Sequence, residues 1–180
     1  MTPSSPSLPP DTLPVRLRPL QVSDAACWSA YLSLPGMIEH TSWSDISEAA
    51  LRQLVLRYMS TSPDQRWALV DARDRLIGTF GLNAIDPVHG RGELAYDLDP
   101  RWQGQGLATL AARAVVDWGH AARSLVRIQA TVLDSNARSI AVLERLGMQR
   151  EGLLRAYRQV RGQPRDFWMY AHLDGAAPAQ

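Results

Sequence analysis

The first half of the chain alternates hydrophobic and polar positions, with two stretches of helical spacing. Alternation in "VRLRPL" predicts a strand, and the helical stretches "AACWSAYLSL" and "EAALRQLVLRYM" follow it. Ser23 and Asp24 are candidate caps for the first helix, and Ser47 for the second. The β-rich runs "RWALVD", "RLIGTFGLNAI" and "ELAYDLDP" then predict an antiparallel meander, which Pro100 ends.

The second half of the chain alternates between helices and strands. A helix from about Leu107 to Ala121 precedes the strand "LVRIQATVL", and a helix from about Asn136 to Leu146 ends at Gly147 as a C′ residue. The runs "MQREGLLRAYRQV" and "PRDFWMYAHL" flank "RGQ" and predict a hairpin. About seven strands and about four helices indicate a mixed α/β layer with no internal repeat.

The two ends of the chain differ in composition from the middle. Five prolines occur in the first 14 residues, which disfavours strand pairing and leaves little apolar surface to bury. We therefore expect residues 1–14 to be a disordered tail, 15–173 to form a single domain, and 174–180 to be a frayed tail. A chain of 180 residues can bury roughly 70% of its unfolded surface in one core.

Charge and cysteine content narrow the possible functions. The chain has 19 Lys and Arg and 18 Asp and Glu, for a net charge of +1, without long runs of either sign. This disfavours a general nucleic-acid or membrane binder and favours a small, defined ligand. Cys27 is the lone cysteine, no secretory signal or apolar run of ~18 residues is evident, and the four histidines lack metal-ligand spacing. We expect a cytoplasmic protein without a metal.

Two glycines stand one residue apart at the start of the long helix. Gly104 and Gly106 allow the backbone to approach an anion in front of the first-turn N–H groups, at the positive end of the helix dipole. Alternatively, they only make a tight strand-to-helix turn. The Gly-Lys-Ser/Thr triplet of a P-loop is absent, and Thr109 replaces the third small residue of a dinucleotide fingerprint.

The run "QGQGLA" resembles the pyrophosphate loop of the GCN5-related N-acetyltransferases (GNAT), whose acyl donor is acetyl-CoA. "NARSIAVLERLGMQREGLLR" resembles their second cofactor motif, in the form found in the RimJ/RimL branch, which acetylates protein N-termini. "VRLRPLQVSDA" and "IGTFGL" are similar to that branch as well, so the resemblance covers 15–173. It implies a mostly antiparallel sheet with a splayed parallel pair, and acetyl-CoA binding by Leu98, Gln103, Gly104, Gln105, Gly106, Leu107, Ala108, Asn136 and Ser139.

The resemblance also implies roles at the reacting centre. Backbone amides around Leu98 and Asp99 would pair with the pantetheine arm and polarise the thioester carbonyl, although ordinary sheet pairing is the alternative. Glu93 shares one side of its strand with Asp97 and could take a proton from the amine through water. The alternative for Glu93 is a solvated edge carboxylate, and Asp97 is the weaker candidate for the base.

The thiol side departs from a common family pattern. Many relatives carry a tyrosine seven residues after the motif's asparagine, and here that position is Leu143. The resemblance therefore makes Ser139 the hydrogen-bond donor to the sulfur, although a serine in a first helical turn is also an ordinary capping group. Asn136 can cap the helix and contact the pantetheine arm at the same time.

The acceptor end of the site is the least determined by sequence. The resemblance makes aromatic residues candidate walls, with core packing as the alternative; they are Trp28, Tyr31, Trp43, Tyr157 and Trp168. Arg155, Arg158 and Arg161 suit an acidic partner or are simply solvated. Cys27 lies away from the cofactor motifs, so we expect direct transfer.

The expected function is an acetyl-CoA-dependent N-acetyltransferase acting on the α-amine of a protein or peptide, of the ribosomal-protein type, as a monomer or homodimer. The alternatives are acetylation of a small amine, such as an antibiotic, polyamine or amino acid, and a non-catalytic acyl-CoA-binding module.

Overall fold

The computed structural model describes residues 5–9, 14–60 and 63–175. Within them the chain forms seven strands, four α-helices and two short 3₁₀ turns, at Val22–Asp24 and Pro100–Trp102. In chain order, the strands and α-helices are β1 (Arg16–Pro19), α1 (Ala25–Leu32), α2 (Glu48–Met59), β2 (Gln65–Val70), β3 (Leu76–Asp86), β4 (Arg91–Leu98), α3 (Leu107–Arg123), β5 (Arg127–Leu133), α4 (Ala137–Arg145), β6 (Gln149–Val160) and β7 (Gln163–Leu173).

All seven strands join one sheet in the order β1-β2-β3-β4-β5-β7-β6. Every neighbouring pair is antiparallel except β4 and β5, which run parallel and pair only between Arg91–Glu93 and Arg127–Gln129. Beyond that short ladder the two strands separate. The expected mixed sheet with a splayed parallel pair is therefore confirmed.

The helix ends show which capping predictions hold. The Ser47 hydroxyl accepts from the Ala50 N–H (3.3 Å), and Gly147 ends α4 in the left-handed region (φ +79°), as predicted. Asp24 is the N-cap residue of α1 by position, as predicted, but α1 receives no side-chain capping bond. Ser23 lies in the preceding 3₁₀ turn, and the Asp24 carboxylate pairs with the Arg18 guanidinium at 2.8 Å and accepts from the Gln21 N–H at 2.8 Å.

Helices cover the two faces of the sheet and enclose separate apolar clusters. One cluster lies under α3 and α4 and includes Leu94 and Leu98, with Tyr96 packed against it. The other lies under α1 and α2. Because strand residues alternate in facing, Glu93 and Asp97 project from the opposite side of β4. This one strand therefore contributes side chains to both layers.

The predicted domain limits remain a prediction, and residues 1–4, 10–13 and 176–180 lie outside the described part of the chain. Between the first two of these gaps, Pro6 is buried and Leu8 packs against the cluster under α3 and α4. No helix among the described residues is both long and apolar enough to cross a membrane.

Candidate active site

The candidate site is the opening where β4 leaves β5. The Asp99 N–H donates to the Ile77 carbonyl at 2.8 Å, so Leu98 occupies a non-hydrogen-bonded position opposite β3. The N–H groups of Leu98 and, two residues earlier, Tyr96 therefore point away from β3, toward the opening. The Leu98 amide therefore faces the opening, whereas the Asp99 amide is engaged by β3.

The glycine loop lies between this strand end and α3. Gly104 and Gly106 both have φ +77°, and a Cβ built on either would meet no heavy atom within 4 Å. The left-handed backbone explains why the turn needs glycine, and the open space in front of it leaves room for a ligand. Gly106 is the N-cap of α3 and brings no side-chain oxygen to the first-turn amides, so these N–H groups can face an anion.

Gln103 ties the glycine loop to both neighbouring elements. Its Nε2 donates to the Leu98 carbonyl at 3.0 Å, and its Oε1 accepts from the Arg138 guanidinium at 3.1 Å. Arg138 was not among the sequence candidates. It places a positive charge from the first turn of α4 beside the loop, which would suit a phosphate. The contiguity of Arg138 with Ser139 in the second motif was the signal that could have indicated it.

Ser139 lies at the start of α4, close to β4. Its N–H donates to the Asn136 side chain at 3.1 Å, which confirms Asn136 as the helix cap. Its hydroxyl lies 2.7 Å from the Tyr96 hydroxyl. Leu143, at the position of the relatives' tyrosine, is buried at 1% exposure and offers no polar group. Tyr96 is a further residue that the sequence analysis missed.

Glu93 is held by hydrogen bonds from two different strands. Its Oε1 accepts from the Thr131 hydroxyl of β5 at 2.8 Å and from the Arg158 guanidinium of β6 at 3.1 Å. The Arg158 guanidinium in turn lies over the rings of Tyr157 (5.0 Å) and Phe167 (5.7 Å). Glu93 is therefore an anchored carboxylate beside the strand separation.

Asp97, the weaker candidate for the base, is buried in a polar cluster between the sheet and α1. Its carboxylate accepts from the hydroxyls of Tyr31 and Thr79 and from the Arg66 guanidinium, the latter two at 2.8 Å. Burial, followed by the charge and hydrogen bond of Asp97, raises the pKa of Tyr31 well above its ordinary value. These contacts give Asp97 a structural role, and they leave Glu93 as the better candidate.

The candidate wall residues separate into two groups. Trp28 and Tyr31 are 0% and 1% exposed and pack in the core under α1 and α2, so neither presents a surface to a ligand in this structure. Trp43 is partly buried, edge-on to Trp28 at 5.9 Å, and Tyr157 is 42% exposed. Only Trp43 and Tyr157 of these four thus retain accessible surface.

The loop between α1 and α2 is tied to the β6–β7 turn. Arg161 in that turn donates to the backbone carbonyls of Trp43 (2.9 Å) and Ile38. Trp168, the remaining aromatic candidate, is partly buried in the sheet and lies 4.5 Å beneath the Arg150 guanidinium. The contacts of Arg161 therefore hold the turn and the loop together.

The histidines take part in no metal-binding group. His120 and His172 are close, with ring nitrogens 3.0 Å apart, and the other His120 ring nitrogen lies 2.6 Å from the Leu125 carbonyl. Within residues 5–9, 14–60 and 63–175, no cluster of three or more His, Cys, Asp or Glu is placed to hold a metal ion.

Comparisons with known proteins identify the family of this chain. Residues 15–149 match the model of the acetyltransferase (GNAT) domain. An uncharacterized N-acetyltransferase, p20, from Bacillus licheniformis is 34% identical over 162 residues, covering 87% of this chain and 91% of that protein. The spermidine N(1)-acetyltransferase of Escherichia coli K12 is 28% identical over 159 residues, covering 87% of this chain and 84% of the enzyme.

A solved structure extends the similarity to nearly the whole fold. RimL, a ribosomal L7/L12 alpha-N-protein acetyltransferase solved in complex with coenzyme A, superposes with a TM-score of 0.83 at 20% identity, covering 92% of this chain and 97% of that one. At this identity the likeness establishes the fold, and the match to the family model establishes the membership. The chain belongs to the GNAT acetyltransferases and is an N-acetyltransferase that uses acetyl-CoA.

Proposed function

We propose that this enzyme transfers the acetyl group of acetyl-CoA directly to the α-amine of a protein or peptide. The observation that carries the proposal is the ion pair of Glu93 with Arg158. The Glu93 carboxylate, beside the strand separation, is already paired with Arg158, at 3.1 Å, and also accepts from Thr131. A neutralised carboxylate can relay a proton, but it adds little attraction for a polycation.

The charges on the acceptor side also favour a peptide over a polyamine. Asp134 is paired with Arg165 at 3.4 Å, and the Asp166 carboxylate accepts from the Ala156 N–H at 2.8 Å. Arg161, by contrast, donates to backbone carbonyls. A polyamine with several positive charges would be repelled by these arginines, whereas a peptide can supply carbonyls and carboxylates to them.

The strength of base that the reaction needs points the same way. An α-amine with a pKa of ~7.7–8.0 is about one-fifth neutral near pH 7.4, whereas a lysine amine with a pKa of ~10.4 is neutral about once in a thousand. The difference is roughly 3 kcal/mol of deprotonation. A carboxylate that is paired with an arginine and works through water suits the first substrate better than the second.

The proposed roles divide along β4. Glu93 accepts the proton of the attacking amine through water. The Leu98 N–H, which points into the opening, polarises the thioester carbonyl. Gln103 through Ala108 would hold the pyrophosphate, Asn136 would contact the pantetheine arm, and Ser139 would donate to the sulfur. Trp43 and Tyr157 are the proposed walls of the acceptor site.

A free-thiol assay tests the proposal directly. Release of CoA thiol from acetyl-CoA is measured with peptides that differ in their first residue, with the same peptides blocked at the α-amine, and with spermidine, lysine and aminoglycosides. We expect turnover with free peptides and its loss on blocking. Faster turnover with spermidine would refute the α-amine assignment and favour the small-amine alternative. The similarity of this chain to the E. coli spermidine acetyltransferase is the reason to include spermidine.

A matched pair of variants tests the role of Glu93. Glu93→Gln should lower kcat at least tenfold at pH 7.4, because the amide cannot accept the proton. Glu151→Gln is the control, since Glu151 is also held by an arginine, Arg127, at 2.6 Å, but lies on β6 outside the opening. Equal activities of the two variants would contradict the role. Acetyl-CoA binding in calorimetry without turnover of any amine would favour a non-catalytic acyl-CoA-binding module.

A further inference from the structure

Tyr96 reaches from β4 to α4 across the side of the opening opposite to Glu93. Its ring stacks on Phe80, with centroids 5.7 Å apart and an interplanar angle of 8°. Its hydroxyl lies 2.7 Å from Ser139 Oγ, a contact in which either oxygen can be the donor, and it can also donate to the more distant Ser139 carbonyl oxygen at 3.3 Å. Rigid stacking on one side and two oxygens at the other end hold the phenol in a single position.

The environment keeps this phenol protonated. Burial raises the pKa of Tyr96 to about 12, and the hydrogen bond with Ser139 acts in the opposite direction. At neutral pH the group is therefore a hydrogen-bond donor. A proton transfer from it to a departing thiolate would be uphill, so its contribution has to be sought in orientation.

A serine hydroxyl at the start of a helix has several directions for its one hydrogen. It can point back to the backbone of its own helix, to a neighbouring acceptor, or outward. When a fixed donor occupies a lone pair of Ser139 Oγ, the serine hydrogen is left to point to a different acceptor. Leu143, one turn further along α4, has no group that could replace this donor.

We propose that Tyr96 is a positioning residue, which donates to Ser139 Oγ and thereby directs the Ser139 hydroxyl hydrogen to the sulfur of the departing thiolate. The inference rests on the proposed role of Ser139 in acetyl transfer. The amine nitrogen forms the new bond to the acetyl carbon, the C–S bond breaks with its electron pair on sulfur, and Ser139 stabilises that charge by a hydrogen bond. The amine proton leaves through Glu93 to water, and the thiolate takes a proton from water on release.

The test removes only the Tyr96 hydroxyl and varies the leaving group. Tyr96→Phe keeps the stack on Phe80 and should lower kcat roughly three- to tenfold, the effect of one lost hydrogen bond, with KM for acetyl-CoA changed by less than about twofold. With the selenium analogue of acetyl-CoA the decrease should nearly vanish, because the less basic selenolate needs less help to leave. The control is Tyr170→Phe. It removes a hydroxyl that donates to Glu144 at 3.3 Å and that lies away from the opening.

A double variant separates positioning from packing. Tyr96→Phe combined with Ser139→Ala should have about the same kcat as Ser139→Ala alone, because the two residues act as one unit. Three results would each overturn the inference. They are an unchanged kcat in Tyr96→Phe, an equal decrease in kcat with acetyl-CoA and with its selenium analogue, and additive effects of the two substitutions. The assay uses whichever amine the wild type acetylates best, so preference for spermidine would refute the α-amine proposal and leave this test intact.

Discussion

Removing one partner of the buried ion pair between Arg66 and Asp97 should destabilise the protein more than removing one partner of an exposed pair. The two side chains are 4% and 9% exposed, and the guanidinium donates to the carboxylate at 2.8 Å. Asp97→Asn keeps the shape but leaves Arg66 buried without its counterion. Breaking such a pair from one side costs about 3–5 kcal/mol. For a chain of this size, that corresponds to a decrease in Tm of about 6–20 °C.

A double-mutant cycle separates the interaction energy of Arg66 with Asp97 from the energies of their other contacts. Arg66→Met removes the cation and also its contact with the Trp28 ring, which lies 5.2 Å away. In the double variant no buried charge is left without a counterion, and the single amide oxygen of the asparagine that replaces Asp97 can still accept from Tyr31 or Thr79. The cost of the double substitution should therefore be at least about 2 kcal/mol below the sum of the single costs. Urea unfolding followed by circular dichroism gives the three values, with an unchanged m-value as the check on two-state behaviour.

An exposed pair provides the matched control for this cycle. Arg52 and Glu48 are one helical turn apart on α2, 3.8 Å from each other and 51% and 53% exposed. Glu48→Gln should cost less than about 1 kcal/mol. If Asp97→Asn were as mild as Glu48→Gln, or if the Arg66 and Asp97 substitutions were additive within about 0.5 kcal/mol, the reasoning from burial would be refuted.

Two further outcomes follow from the glycine loop and from the paired histidines. Gly106→Ala and Gly147→Ala should each lose about 1–2 kcal/mol of stability, because φ is +77° and +79° and each site is otherwise open. Only Gly106→Ala should raise KM for acetyl-CoA, because only Gly106 lies in the proposed pyrophosphate loop. Equal KM values in the two variants would contradict the role of this loop. Burial and the neighbouring His120 lower the pKa of His172, so the unfolded chain takes up protons first and stability should fall as the pH drops through about 6.5. In His172→Gln the slope of Tm against pH from 8 to 5.5 should be smaller, and an unchanged slope would exclude this contribution.

Local patterns were sufficient to predict the elements of this fold. Alternating runs became strands, helical spacing became helices, and Ser47, Asn136 and Gly147 took the terminal positions that their chemistry favours. Asp24 stands at the N-cap position of α1, but its carboxylate faces the Arg18 guanidinium and the Gln21 N–H, both at 2.8 Å, rather than the first turn of the helix. The sequence indicated the position, and a charged partner together with the preceding 3₁₀ turn set the direction of the side chain.

The long-range contacts of the site could not be predicted from the sequence. The separation of β4 from β5 came from the family resemblance, and no residue pattern indicated it. Glu93 and Arg158 are 65 residues apart in the sequence, and Tyr96 and Ser139 are 43 apart. No local sequence pattern could therefore predict either contact. For Trp28, aromatic character fits a ligand wall and a core equally well, and only the packing of α1 on the sheet decides for the core.

The alternation of β4 explains how one strand can serve both partners of an acyl transfer. The odd-numbered Glu93 projects to the side proposed for the acceptor amine, and the even-numbered Tyr96 projects to the side of α4, proposed for the leaving group. Between them, the N–H groups of Tyr96 and Leu98 lie along the edge that β5 no longer covers. The proposed base, the two N–H groups and the residue proposed to orient Ser139 therefore keep fixed mutual positions, because a single paired strand carries them. A one-residue slip of β4 against β3 would exchange the two faces, so the register set by this pairing is itself a condition for the chemistry.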